Sequence, residues 1–230
     1  MSDAARQRVR TALGVRAKPR RLPEVTVRRM PVYLRALNEM ASAGVQVVSS
    51  ADLARMTGLT SEQIRKDLAM LGGFGTRGVG YNAASLGSTI REVLGLQREV
   101  AVGLVGAGHL GTALARYNES RRQQLRIAAI FDADPTKIGQ VLGGSVVLPM
   151  ADLAAVVRRS AIRMAIIAVP APAAQEVADL LVAAGCDALL NFAPARLDLP
   201  AGVRVHNIDL AMELEALAYY VRPELGAERP

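Results

Sequence analysis

The sequence predicts an α/β chain: a small N-terminal winged helix-turn-helix domain, then a domain built on a parallel sheet, then a separate C-terminal helix. Three observations predict it. An apolar run with no polar alternation lies at 100–105, and further strands are expected at 126–131, 145–148, 163–169, 187–191 and 203–206, with helical stretches near 109–120, 150–159 and 172–184. Strands buried on both faces have that composition, and strand–helix alternation gives a parallel sheet with right-handed crossovers. A Gly-x-Gly-x-x-Gly turn follows the first run. Ahead of it, two short capped helices flank a tight glycine turn and lead into a glycine-rich hairpin.

The net charge of +7 is spread unevenly. Residues 1–98 hold 16 Lys+Arg against 7 Asp+Glu, a charge of +9, and residues 99–230 hold 12 against 14, a charge of −2. That asymmetry points to a polyanionic partner for the first part. The alternative is a solvated basic tail, since ten of the 16 basic residues precede Ala36. Apolar residues make up 51% of the chain, enough for a sizeable core. The single cysteine, Cys186, excludes a disulfide framework and a clustered-cysteine metal site, so no metal is expected. With no apolar leader ahead of a cleavage site and no apolar run of membrane-spanning length, the expected location is cytoplasmic, with no membrane partner.

Residues 1–24 form a basic extension without apolar periodicity and are expected to be mostly disordered. Residues 25–98 form the first domain. A helix from Thr26 puts Tyr33, Leu34, Leu37 and Met40 on one face, and Gly44 ends it. Residues 45–48 are a short extended piece. Ser49 or Ser50 caps a helix that turns Leu53, Ala54 and Met56 inward. After a turn at Gly58, Thr60 starts a second helix with Gln63 as its capping-box partner and Ile64, Leu68 and Leu71 as its buried stripe. The outward face carries Ser61, Gln63, Arg65 and Lys66, side chains of the types that read base edges and phosphates. A hairpin over 72–81 makes a wing with Arg77 near its tip. A three-helix packing module with a charged solvent face is the other reading. The turn, cap, basic face, wing and charge asymmetry agree on double-stranded DNA. A connecting helix from Leu86 to Leu96 leads to a boundary at Arg98-Glu99.

Residues 99–206 form a Rossmann-type, dinucleotide-binding domain. Gly106 allows the tight turn, Gly108 lets the backbone approach a pyrophosphate, and Gly111 lets the helix pack close to the strand. Ala107, His109 and Leu110 complete the turn, and the helix start offers N–H groups to phosphate. Asp132 ends the next strand, about 20 residues past the last glycine, where a carboxylate holds the adenine ribose hydroxyls. It would repel a 2′-phosphate, and Ala133 follows it, so NAD(H) is favoured over NADP(H). A short helix is expected to begin within 134–139. Val169-Pro170 and Asn191-Phe192-Ala193-Pro194 end two later strands on the edge where such sheets bind ligands. In residues 207–230, a helix from Ile208 to Val221 places Leu210, Leu214, Leu217 and Val221 on one face, with Glu213 opposite. It either folds back on its own domain or docks on another subunit.

With both halves in hand, residues 25–222 resemble the redox-sensing transcriptional repressor family Rex. The resemblance rests on Gln63-Ile64-Arg65-Lys66-Asp67-Leu68, on Phe74-Gly75-Thr76-Arg77-Gly78-Val79-Gly80-Tyr81, and on the Gly106–Gly111 turn. It also rests on Phe131-Asp132-Ala133-Asp134-Pro135, Asn191-Phe192-Ala193-Pro194 and Asn207-Ile208-Asp209. It implies a homodimer whose C-terminal helix is exchanged between subunits, released from operator DNA by NADH, with NAD⁺ competing poorly. By position it implies DNA contacts from Arg65, Lys66 and Arg77, and ribose binding by Asp132. It further implies a sensing network of Arg35, Tyr117 and Asp209 near the nicotinamide. On the residues alone, Arg35 reads as a surface charge, Tyr117 as a half-buried core aromatic and Asp209 as the N-cap of the last helix. The extension over 1–24 falls outside the family pattern.

Two other functions fit the fold. An NAD-dependent dehydrogenase needs a proton donor or acceptor at the hydride-accepting carbon. His109 sits in the glycine turn, His206 has no evident acid partner, and Tyr117 is followed four residues later by Arg121, not lysine. A coenzyme A or nucleotide module is the third reading, since fold does not fix ligand. Asp132 argues for a ribose with free hydroxyls, which coenzyme A lacks at the 3′ position.

Overall fold

Two separate cores divide the chain, at Arg98/Glu99. The computed structural model describes residues 22–72, 75–76, 79–121 and 124–221. Arg77, and the extension up to residue 21, lie outside the described residues.

In the first unit, α1 (Glu24–Ser42) buries Met30, Tyr33, Leu34 and Leu37 at helical spacing. Strand β1 (Val47–Val48) follows. Helix α2 (Ser50–Thr57) opens on a full capping box, in which Ser49 Oγ accepts from Asp52 N–H and Asp52 accepts from Ser49 N–H. It closes at Gly58, left-handed at φ +70°. Helix α3 (Ser61–Leu71) is capped by Thr60, whose hydroxyl accepts from Gln63 N–H at 3.2 Å. Strands β2 (Gly75–Thr76) and β3 (Gly80–Asn82) pair antiparallel, and β1 joins them in the order β1-β3-β2. This sheet is the wing. Helix α4 (Ala83–Val93) starts earlier than the expected Leu86, because Asn82 caps it through Ser85 N–H. It is more than a connector: Leu86 and Ile90 are fully buried in this unit's core.

Met56 departs from the expected inward face and is 47% exposed. The eight-residue α2 buries Leu53 alone, too short a helix to carry the stripe another turn. Leu71 is only partly buried, at the last position of α3.

The second unit runs β4 (Val100–Val105), α5 (His109–Arg121), β5 (Leu125–Asp132), β6 (Val141–Leu142), β7 (Ser145–Pro149), a 3-10 turn, α6 (Leu153–Arg159) and β8 (Met164–Ile167). It ends with α7 (Ala171–Ala184), β9 (Ala188–Asn191), β10 (Arg204–Asn207) and α8 (Leu210–Ala218). The strand order is β10-β9-β8-β4-β5-β7-β6, parallel throughout except for β6. Successive strand residues face opposite sides. Thus Val105 and Phe131 enter the core shared with α6 and α7, while Leu104 and Ile130 enter the one shared with Ala115 of α5. Helices cover both faces, as the unbroken apolar runs require.

Two expectations need correction here. No helix starts within 134–139; Asp134 Oδ1 accepts from both the N–H and the hydroxyl of Thr136, and that side-chain turn replaces the helical bonds. The last helix runs over Leu210–Ala218, with Tyr219–Val221 in a tighter 3-10 turn, not as one helix from Ile208.

Candidate functional site

The order of strands turns back at β4 and β8, which lie side by side. The crevice outside their carboxyl ends is where open parallel sheets bind ligands. The glycine turn after β4 closes against the segment after β8. A Cβ on Gly106, at φ +101°, would come within 2.3 Å of the Ala168 carbonyl oxygen and 3.1 Å of Val169. A Cβ on Gly111 would sit 1.8 Å from the Gly106 carbonyl oxygen, so the first turn of α5 packs on the glycine turn itself. Gly108 differs: a Cβ there meets no protein atom within 4 Å. Two glycines are thus required by the protein's own packing, and the third faces outward where a phosphate would approach. His109 and Leu110 are exposed at the start of α5, whose first N–H groups have no intrahelical acceptors. These residues fit a dinucleotide pyrophosphate.

Asp132 ends β5 and is buried. Its Oδ2 accepts from Ala107 N–H at 2.7 Å and from Lys137 Nζ at 3.3 Å, and its Oδ1 accepts from Asp134 N–H at 2.8 Å. Burial alone would raise the carboxyl's pKa, but the bonds from Asp134, Ala107 and Lys137 hold it below the usual range. The charged carboxylate thus ties the glycine turn to β5 and keeps one acceptor position on Oδ1 for a ribose hydroxyl. Lys137 was not singled out in the sequence; its position five residues beyond Asp132, on the far side of the Asp134 turn, was the available signal. Val169 and Pro170 follow β8, and Val169 lies beside the glycine turn. Asn191, fully buried, donates through Nδ2 to the carbonyls of Ala193 and Ala195 and to Asn207 Oδ1. It fixes the loop after β9 to β10.

On the first unit, Arg65 and Lys66 lie on the exposed face of α3. Arg65 Nη1 reaches Ser50 Oγ at 3.1 Å, and Lys66 pairs with Glu62 at 2.7 Å. Exposed pairs of that kind are weak enough for a phosphate to displace. Ser61 donates to the Ser50 carbonyl. Gln63 is turned inward: its amide donates to Asp67 Oδ1 at 3.0 Å, so only half of the expected capping box forms.

Asp67 itself went unremarked as an individual residue. It has no exposed surface and accepts from Thr26, from Arg29 at 2.6 and 2.9 Å, from Tyr33 at 2.7 Å and from Gln63. Three of those partners stand on α1, so Asp67 fixes α3 to α1. The remaining candidates are engaged locally. Arg35 pairs with Glu39 at 3.0 Å on an exposed face. Asp209 caps α8, its Oδ1 accepting from Ala211 and Met212 N–H. Tyr117 is 56% exposed on α5, not half-buried in a core.

Residues 21–69 match the family described as "Putative DNA-binding protein N-terminus", and residues 97–195 match that described as "CoA binding domain". The chain is 46% identical over 206 residues to a redox-sensing transcriptional repressor Rex of Natranaerobius thermophilus, spanning 90% of this chain and 94% of that one. It is 43% identical over 211 residues to the Rex of Streptomyces coelicolor, spanning 92% and 82%. Among solved structures, RSP in complex with NAD⁺ and operator DNA matches at TM-score 0.82 and 33% identity, over 88% of this chain and 94% of that one. RSP in complex with NADH matches at TM-score 0.78 and 32% identity, over 89% and 96%.

Proposed function

The chain belongs to the redox-sensing transcriptional repressor family Rex, and from that premise we propose how its two units divide the work. It is a DNA-binding repressor that senses the NADH/NAD⁺ ratio, and NADH releases it from operator DNA. It is not an enzyme. The observation that carries the cofactor half is the glycine turn held by Asp132 at the β4/β8 crevice, with Gly108 facing outward.

Residues 25–98 are the DNA-binding domain, 99–206 the dinucleotide-binding domain and 207–230 the dimerisation segment. Gly106, Ala107, Gly108, His109, Leu110 and Gly111 hold the pyrophosphate, Asp132 the adenine ribose, and Val169 and Pro170 flank the path to the nicotinamide. Ser61, Arg65, Lys66 and Arg77 meet DNA; Gln63 serves through Asp67. Bound NAD(H) supplies the signal as one charge, because the oxidised ring is cationic, the reduced ring is neutral, and burying an unpaired cation costs solvation free energy. Arg35, Tyr117 and Asp209 are the switch. The protein acts as a homodimer in the cytoplasm. Supporting the dimer, every residue from Leu210 to Val221 is exposed, with Leu210, Met212, Leu214 and Leu217 each 59–67% exposed on an apolar helix. Such a surface calls for a partner. Among the described residues no helix is long and apolar enough to cross a membrane.

The test is a fluorescence-anisotropy titration of a duplex that the protein itself selects from a randomised pool, with NADH and NAD⁺ added separately. NADH is expected to weaken binding and NAD⁺ to leave it nearly intact. Binding indifferent to NADH would overturn the reading.

A further inference from the structure

We propose that Asn191 and Asn207 are a positioning pair that carries the state of the cofactor crevice to Asp209 and α8. The proposal rests on the repressor reading above and deepens it, by naming a link between the cofactor site and the residue assigned to the switch.

The first observation is one of register. A single row crosses the sheet at its carboxyl edge. Phe131 of β5 lies beside Val105 of β4, Val105 beside Ile167 of β8, Ile167 beside Asn191 of β9, and Asn191 beside Asn207 of β10. Most members of the row stand just ahead of a piece of the site. Asp132 follows Phe131, the glycine turn follows Val105, Ala168 and Val169 follow Ile167, and Ile208-Asp209 follows Asn207. Phe131, Val105 and Ile167 are apolar and buried. Asn191 has no exposed surface either, and a buried polar group costs free energy unless it is hydrogen-bonded. The row turns polar where it passes from the cofactor strands to the strand that leads into α8.

The second observation is that the Asn191 amide has more acceptors than hydrogens. Its Nδ2 lies 3.1 Å from the Ala193 carbonyl oxygen, 3.1 Å from that of Ala195 and 3.0 Å from Asn207 Oδ1. An amide nitrogen carries two hydrogens, so three acceptors at nearly equal distance compete for them. Two of the three belong to the loop after β9, on the edge where the crevice opens. The third belongs to the residue before Ile208. Backbone bonds hold the surroundings: Phe192 N–H donates to the Ile167 carbonyl at 2.9 Å, and Ile208 N–H to the Asn191 carbonyl at 2.8 Å. The side-chain amide is the element that can change partners. In the operator-binding state one hydrogen goes to Asn207 and holds the Ile208-Asp209 segment to β9. When the 192–195 loop settles on bound cofactor, both hydrogens go to its carbonyls and Asn207 is released. A ligand shifts an equilibrium only through a difference between the two states, and this bond supplies one.

The experiment measures two affinities separately: the selected operator without NADH, by anisotropy, and NADH without DNA, by calorimetry. It compares the parent with Asn207→Leu, Asn207→Ala and Asn207→Asp. Leu and Ala remove the acceptor, Asp keeps one, and Asn191 retains its two loop carbonyls in all three, so each variant is expected to fold, as thermal melts check. Losing a bond made only in the operator-binding state weakens operator binding and tightens NADH binding. The two factors multiply to about fivefold, the worth of one net hydrogen bond. Their division depends on which state dominates in the free protein, but their product does not. A role confined to stability moves both affinities the same way or neither. Asn207→Asp is expected to return both to the parent's values or move them past, since a carboxylate is the stronger acceptor. A product close to one in both Leu and Ala variants overturns the proposal and leaves the repressor reading standing. So does a joint weakening of both ligands, or an Asn207→Asp that behaves as Asn207→Leu. A parent whose operator binding ignores NADH refutes the repressor reading, and the proposal with it.

Discussion

Asp67 carries a charge with no exposed surface, and five hydrogen bonds make that tolerable. Burial alone would raise its pKa, yet the Arg29, Tyr33 and Gln63 bonds hold it below the ordinary aspartate value. Burial, with donation to Asp67, pushes the Tyr33 hydroxyl the other way, well up. The two shifts set two pH limits. A lowered folded pKa gives stability present above about pH 3.9, the ordinary aspartate value, and lost as pH falls through the folded value. A raised folded pKa gives stability present below about pH 10 and lost as pH rises through the folded value. Asp67→Asn is expected to destabilise the first unit by about 3 kcal/mol at neutral pH, the low end for breaking a buried pair, because Arg29 keeps some solvent. It should also flatten the acid limb of the urea midpoint against pH. A variant as stable as the parent at pH 7 would show that the network does not hold α3. The only cysteine takes no part in redox sensing by this account: Cys186 is buried and its thiol is pushed up to about 11, mainly by burial. A thiol so placed is inert.

The glycine turn divides its residues between two that pack on the protein and one, Gly108, that meets no protein atom. Gly111→Ala puts a methyl against the Gly106 carbonyl, and is expected to cost at least about 1–3 kcal/mol as overpacking. Gly108→Ala meets no protein atom, so its melting temperature should match the parent's while NADH affinity falls. Asp132→Ala should weaken NADH and narrow its advantage over NADPH. Paired thermal melts and NADH titrations check all three; a Gly108→Ala that binds NADH as the parent does would place the pyrophosphate elsewhere. The main strands were legible because a strand buried on both faces must be apolar throughout, and 100–105 and 127–131 are. Strand β6 was not, since two residues, Val141 and Leu142, turned back by Gly143-Gly144, leave no pattern to read. The glycines and Asp132 could be found because their spacing is local. The Asp67 network could not, because Arg29 is 38 positions away and only the fold brings it near. Lys137 was hidden for a different reason: the 134–139 segment reads as a helix start until the Asp134 side chain is seen to bond Thr136.

For the whole molecule the question is how a cofactor on one unit alters DNA binding by another. A ligand shifts such an equilibrium only through its different affinity for the two states, and moving it from 1:99 to 99:1 takes about 5.5 kcal/mol. Two recognition helices of a dimer must sit about one helical turn of DNA apart, so a modest change in dimer geometry removes one from its groove. Asp209 is the residue proposed to report such a change. It caps α8, the exposed apolar helix, through Oδ1, while its Oδ2 takes no hydrogen bond among the described residues. Asp209→Ala and Tyr117→Phe are therefore expected to remain folded dimers by sedimentation, to bind operator, and to resist release by NADH. Losing the cap costs Asp209→Ala about 1 kcal/mol in α8. Tyr117→Phe removes no cap, so a blunted response in both variants separates the switch from helix stability. The coupling must also be reciprocal: if NADH weakens operator binding by a given factor, operator weakens NADH binding by the same factor. Calorimetric NADH titrations of the parent, with and without saturating operator, measure that factor directly. Agreement with the anisotropy result closes the cycle, and equal NADH affinities in the two titrations would rule the switch out.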